Sequence, residues 1–199
     1  MGSAAVRINC PVLDRMGPYD GAMDIPAIVS PNSRIRHPEH FTIGQASILD
    51  DFCYVSTKLA MGDFVHVASG CSIAGGKEHL CSIGDFSSLS SGVKVWCSSD
   101  DFARDVVTII PAGFPDVKEH VIAGDVHFGA MTAVGSNSVI MPENTIPEGT
   151  VIGALSFVPP GFTFEPWTVY AGIPLRPVKA RDREAVLRQC DALRKHANA

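Results

Sequence analysis

The sequence predicts an all-β solenoid, a parallel β-helix of short strands, with one projecting loop and a short α-helix at its C-terminal end. Two observations carry this. First, an apolar residue recurs at every sixth position from Ile122, at Phe128, Val134, Ile140, Ile146, Ile152, Val158 and Phe164. Four places after each stand Val126, Thr132, Ser138, Asn144, Thr150, Ser156, Phe162 and Thr168, mostly small or β-branched. A period of six fits neither an amphipathic helix nor a half-buried strand. It fits a coil whose turns repeat a flat side and a corner, the sixth residue filling the interior and the small residue sitting where space is tight. Second, the same rule holds upstream, in one register at Ile43, Leu49, Val55, Met61, Val67 and Ile73 and in another at Ile83, Leu89 and Val95.

The elements follow in order. Residues 1–34, punctuated by Pro and Gly, are expected to be a lead-in that caps the first coil. Residues 35–177 are the β-helix. Its phase breaks twice, around Gly75–Leu80 and over residues 100–119, and insertions in a repeat architecture become loops on one face, often the binding face. From 178 to 199 Val186, Leu187, Cys190 and Leu193 share a helical face opposite charged residues, which predicts a helix docked on the last coils.

Composition narrows the function. A net charge of −5 over 199 residues carries no nucleic-acid footprint. No apolar run approaches the length of a membrane span. The N-terminal residues have no apolar signal-peptide core, so a cytoplasmic protein is expected. The cysteines, at 10, 53, 71, 81, 97 and 190, lack CxxC spacing, and Cys53 and Cys71 fall on small interior positions. Buried reduced thiols are expected rather than disulfides or zinc ligands.

The units Met61-Gly62-Asp63, Ile83-Gly84-Asp85 and Ile152-Gly153-Ala154-Leu155-Ser156, with the closing Ala171-Gly172-Ile173-Pro174-Leu175-Arg176, resemble the hexapeptide-repeat acyltransferases. The resemblance implies a left-handed parallel β-helix, a homotrimer, and acetyl-coenzyme A bound in grooves between subunits. It also implies a cofactor surface: Gly135, Gly153, Ala154 and Ser156 along the coil edge for the pantetheine arm, and Gly172, Pro174 and Arg176 in the closing motif. Lys179 and Arg181 are candidates for the 3′-phosphate as charge-assisted donors; the plainer reading makes them surface charges. Ile173 stands where the family usually has a polar residue. No metal is expected.

In the maltose and galactoside O-acetyltransferase branch, a Val-x-Ile-aromatic run leads to a catalytic histidine. The similar run here, Val93-Lys94-Val95-Trp96, leads instead to Asp100 and Asp101. A hydroxyl acceptor needs a general base to become nucleophilic, whereas a neutral amine attacks a thioester unaided. The Ser-Ser-Asp-Asp-Phe segment resembles the branch that N-acetylates nucleotide-linked amino sugars for surface polysaccharide. The expectation is therefore an N-acetyltransferase, with Asp100 and Asp101 positioning the amine unless they merely open a turn. His79, beside Glu78, and then His127 are the candidates for proton acceptance. A sugar O-acetyltransferase is the alternative. A non-catalytic scaffold and a γ-class carbonic anhydrase-like metalloenzyme are weaker ones, the latter because no three histidines show ligand spacing.

Overall fold

The computed structural model describes residues 25–104 and 121–197, with side chains through residue 195. Cys10, His120, His196 and most of the loop expected over residues 100–119 lie outside these limits.

The chain winds as a parallel β-solenoid of three faces. The first face stacks Ile28–Val29, Ile48–Leu49, His66–Val67, Ser88–Leu89, Ala133–Val134, Val151–Ile152 and Thr168–Ala171 in parallel. The second stacks Arg34–Ile35, Tyr54–Val55, Ser72–Ala74, Lys94–Trp96, Val139–Ile140 and Phe157–Val158. The third stacks Phe41–Ile43, Lys58–Met61, Leu80–Ile83, Val126–Phe128 and Asn144–Ile146. Leu49, Val67, Leu89, Val134 and Ile152 point inward from the first face, and Val55, Ile73, Val95, Ile140 and Val158 from the second. Met61, Ile83, Phe128 and Ile146 fill the third wall, and all these residues are buried. Each contributes roughly 1.5–3 kcal/mol by leaving water.

The small positions serve the backbone. The Ser47 hydroxyl donates to the Gly62 carbonyl at 2.8 Å and accepts from the Val65 amide at 2.8 Å. The Ile-Gly-Asp units are corner devices of the same kind. The Asp85 carboxylate accepts the Asp63 amide of the preceding coil at 2.9 Å, and the Asp63 carboxylate accepts the Gln45 amide at 2.9 Å. Burial pushes the Asp85 carboxyl above its ordinary range. A side chain at Gly84 would stand 2.6 Å from the Ala130 amide nitrogen, so glycine sets how closely these corners stack. The five described cysteines are free and buried.

Three features differ from the sequence reading. The solenoid is already under way at Ile28–Val29, which pairs with Ile48–Leu49, rather than beginning at residue 35. Ile122 keeps the sixfold phase but lies outside the coil. It belongs to a two-stranded stem, Val121–Ala123 antiparallel to Ser98–Asp100. The third difference is the C-terminal segment. Arg176–Ala180 pairs antiparallel with Thr168–Ala171 and closes the first face, so the helix starts only at Arg183, with the Asp182 carboxylate accepting the Ala185 amide.

That helix, Arg183–Ala197, lies along the solenoid instead of sitting on its last coils. It runs back over the corner between the third and first faces, where Phe64 and Phe86 stack at 4.8 Å between ring centroids. Arg183 lies over the Trp167 ring and Arg194 over the Phe86 ring. The aromatic corner residues supply an apolar track that one coil end could not. Cys190 is buried against it, while Leu193 stays half exposed.

Candidate active site

The two insertions leave the solenoid at one corner. The first, residues 75–79, and the second, carried by the Ser98–Asp100/Val121–Ala123 stem, both separate a second-face strand from a third-face strand. They occupy successive coils, since Ile73 and Val95 are in register. They also touch, because a side chain at Gly75 would lie 2.5 Å from Cys97 Cβ. The stem is rooted where the Cys97 amide donates to the Ala74 carbonyl at 2.6 Å and the Gly124 amide to the Cys97 carbonyl at 2.9 Å.

Strand alternation then sets the side chains. Val126 and Phe128 point inward, so Asp125 and His127 share the outer side of the third face. His127 Nδ1 lies 2.8 Å from the Ser82 hydroxyl on the neighbouring strand. Asp125 Oδ2 lies 3.9 Å from His127 Nε2, and Asp125 Oδ1 lies 3.8 Å from His79 Nδ1. The same Oδ1 accepts the Leu80 amide at 2.9 Å, which ties the carboxylate to the turn carrying His79. One carboxylate thus bridges two half-buried histidines at the foot of both insertions. The carboxylate that faces His79 is Asp125, not its chain neighbour Glu78.

This arrangement can attract a cationic amine and pass its proton. A reaction through a neighbouring thiol has no support, because burial pushes the Cys97 thiol up to about 11 and holds Cys81 well above its ordinary range.

Asp100 and Asp101 stand apart from this group. Asp101 is held in its own turn, where Oδ2 accepts Arg104 Nε at 2.8 Å and Oδ1 accepts the Ala103 amide at 3.1 Å. Asp100 ends its stem strand opposite Val121, three residues from Cys97 and so on the order of 10 Å along the stem. Among the described residues no donor bonds its carboxylate, and no contact joins either aspartate to His79 or His127.

The positions singled out for coenzyme A divide into two groups. Gly135, Gly153 and Ser156 are occupied by the coil itself. A side chain at Gly135 would stand 2.3 Å from the Ala154 amide nitrogen, and one at Gly153 3.0 Å from Ala171 Cβ. The buried Ser156 hydroxyl donates to the Gly153 carbonyl at 2.8 Å and accepts the Gly172 amide at 2.9 Å. Arg181 is also engaged, its guanidinium donating to the carbonyls of Met131 and Gly149 at successive corners. Its own amide donates to the Trp167 carbonyl at 2.7 Å, so one residue ties three coils together. Ala154 is exposed, as are Pro174, Arg176 and Lys179 on the hairpin that follows Gly172. Arg176 and Lys179 are therefore available to phosphate oxygens, which fits an anionic ligand at this end. Among the described residues no group of three or more His, Cys, Asp or Glu could hold a metal ion, and no helix is long and apolar enough to cross a membrane.

No family model matches the chain. It is 29% identical over 151 residues to the dTDP-4-amino-4,6-dideoxy-D-glucose acyltransferase of Escherichia coli, covering 73% of this chain and 74% of that protein. Its homologues are sugar acyltransferases. The structure superposes on AntD, an N-acyltransferase from Bacillus cereus solved with dTDP and 3-hydroxybutyryl-CoA, with a TM-score of 0.76 at 28% identity. That match covers 87% of this chain and 92% of AntD. A second Escherichia coli relative, the strain K12 protein WbbJ, carries the name of a lipopolysaccharide biosynthesis O-acetyl transferase. It is 25% identical over 166 residues, 81% of this chain and 80% of that one.

Sequence reasoning missed Asp125. The signal was present as Asp-x-His in a predicted strand, because period 2 puts both side chains on one side.

Proposed function

We propose that this protein is an acetyl-CoA-dependent N-acetyltransferase acting on the amino group of a nucleotide-linked amino sugar for surface polysaccharide. The observation that carries the reading is the Asp125 carboxylate set between His79 and His127 at the foot of the two insertions. Asp125 draws in the amino group, and His127, with His79 beside it, accepts a proton from it. The amine nitrogen bonds to the thioester carbonyl carbon, and a tetrahedral intermediate collapses with cleavage of the carbon–sulfur bond. The coenzyme A thiolate leaves and takes up the proton. Arg176 and Lys179 bind cofactor phosphates at the C-terminal end, and Asp100 on the stem supplies a further contact to the acceptor.

The relatives support this acceptor class. A variant of AntD with one serine replaced by cysteine has been solved with dTDP-4-amino-4,6-dideoxyglucose and coenzyme A together, and variants with a single aspartate replaced by alanine or asparagine with dTDP and coenzyme A. WbbJ favours O-acetylation as the second reading. A cytoplasmic homotrimer belongs to the same proposal. Exposed Phe52 and Leu155, at the corner between first and second faces, and Ile173, in the turn after Ala171, suit contacts between copies.

The test is Asp125→Asn beside His127→Gln, assayed with acetyl-CoA and a dTDP-linked 4-amino sugar. Each variant is expected to lose at least about a hundredfold in kcat/KM, the lower range for general acid–base groups, while melting near the wild-type temperature. Unchanged kcat/KM in both would remove this corner from the mechanism.

A further inference from the structure

The third face carries an ordered charge column beside its histidines. Extending the strand registers by one residue places His40, Lys58, Leu80, Asp125 and Glu143 one above another on successive coils, all on the outer side. The column is therefore basic at the N-terminal coils, apolar at Leu80, and acidic from Asp125 onward. In a chain of net charge −5 this basic end is a local exception. Arg36 adds to it on the first coil, with its guanidinium 3.4 Å from the Tyr54 hydroxyl.

The local acids do not cancel Lys58. Glu39 faces His37 and His40 at 3.7 and 3.9 Å. Glu78 meets the Lys58 ammonium only through its backbone carbonyl, at 3.5 Å. No ion pair to Lys58 occurs among the described residues.

Lys58 and Asp125 stand two rungs apart, and rungs are about 4.8 Å apart, so their backbones are on the order of 10 Å apart. A sugar ring and one phosphate link bridge about that distance. A nucleotide-linked amino sugar carries the complementary sequence of groups: an anionic diphosphate, a ring with an apolar C–H face, and a basic nitrogen. We infer that Lys58 anchors the diphosphate of the acceptor, which lies along the third face with its nucleotide toward the N-terminal coils and its amine at Asp125. This rests on the function proposed above and adds the acceptor's orientation and a residue that fixes it. Lys58 positions the acceptor and does not touch the reacting atoms. Leu80 between the two charges receives the ring.

The experiment compares wild type, Lys58→Gln and Lys58→Arg, by calorimetric titration with dTDP and with coenzyme A and by kinetics with a dTDP-linked 4-amino sugar. Lys58→Gln should weaken dTDP binding about tenfold, as loss of one charge-assisted contact does, and raise KM with kcat nearly unchanged. Lys58→Arg should restore most of the loss, and coenzyme A affinity should not move. Equal dTDP affinity in wild type and Lys58→Gln would overturn the inference while leaving the proposed function standing. Wild type that binds coenzyme A but no nucleoside diphosphate would overturn both. If Lys58→Gln fails to fold, the salt dependence of wild-type dTDP affinity decides: affinity falling with salt supports a charged anchor, and affinity insensitive to salt contradicts it.

Discussion

Replacing Arg181 separates a structural staple from a cofactor ligand. Its guanidinium donates to the carbonyls of Met131 and Gly149, and its amide to that of Trp167, so the side chain joins corners that are distant in sequence. Burial lowers its pKa, because desolvation disfavours the cation. Hydrogen bonds from a charged donor contribute roughly 1.5–3 kcal/mol each. Arg181 itself is only half-buried, and that exposure discounts the sum, so Arg181→Met should cost about 2–3 kcal/mol in all. For a domain of this size that is a fall in Tm of roughly 4–12 °C. Differential scanning calorimetry measures the fall, and titration with coenzyme A measures the other arm. A structural role for Arg181 requires a lower Tm with coenzyme A affinity retained. A wild-type Tm with affinity lost would refute it and return Arg181 to the 3′-phosphate.

Three further outcomes follow from the geometry. Gly135→Ala should cost more than about 3 kcal/mol and sharply reduce soluble yield, since the added carbon meets backbone of the next coil at 2.3 Å; a stable variant with weaker coenzyme A binding would show that the glycine serves the cofactor instead. Asp100→Asn should reduce turnover strongly with coenzyme A affinity unchanged, whereas Asp101→Ala should change kcat/KM little, because Asp101 is spent on its own turn; the reverse ranking in steady-state kinetics would exchange their roles. Thr150→Val should be neutral or stabilising by up to about 1 kcal/mol in chemical denaturation, because the buried Thr150 hydroxyl has no hydrogen-bond partner among the described residues; clear destabilisation would mean that it has one.

The solenoid was legible because each coil repeats one spatial constraint, so residues such as Val134 and Ile152 report the same wall. The breaks in phase located both insertions. That they leave one corner was also within reach, since Ile73 and Val95 are equivalent inward residues and each break follows directly. Ile122 shows where the pattern misleads: an apolar residue in phase can pair in a stem outside the coil. The candidate site was half legible. His79 and His127 stand out as candidates from the sequence, but their link through Asp125 depends on which strands become neighbours once the loop is excised. The carbonyls that engage Arg181 are not legible, because nothing local to residue 181 indicates that Met131 and Gly149 lie beneath it. The helix direction was hidden for the same reason, being set by Phe64, Phe86 and Trp167 from three different coils.

A matched pair of acceptors distinguishes acyl transfer to nitrogen at the Asp125 corner from transfer to oxygen. Two dTDP-linked sugars differing only by an amino or a hydroxyl group at one carbon are incubated with acetyl-CoA and the protein, and the products are resolved by mass spectrometry. Transfer to nitrogen requires acetylation of the amino sugar, suppressed by Asp125→Asn. Acetylation of the hydroxyl sugar alone would contradict it and establish the O-acetyltransferase reading.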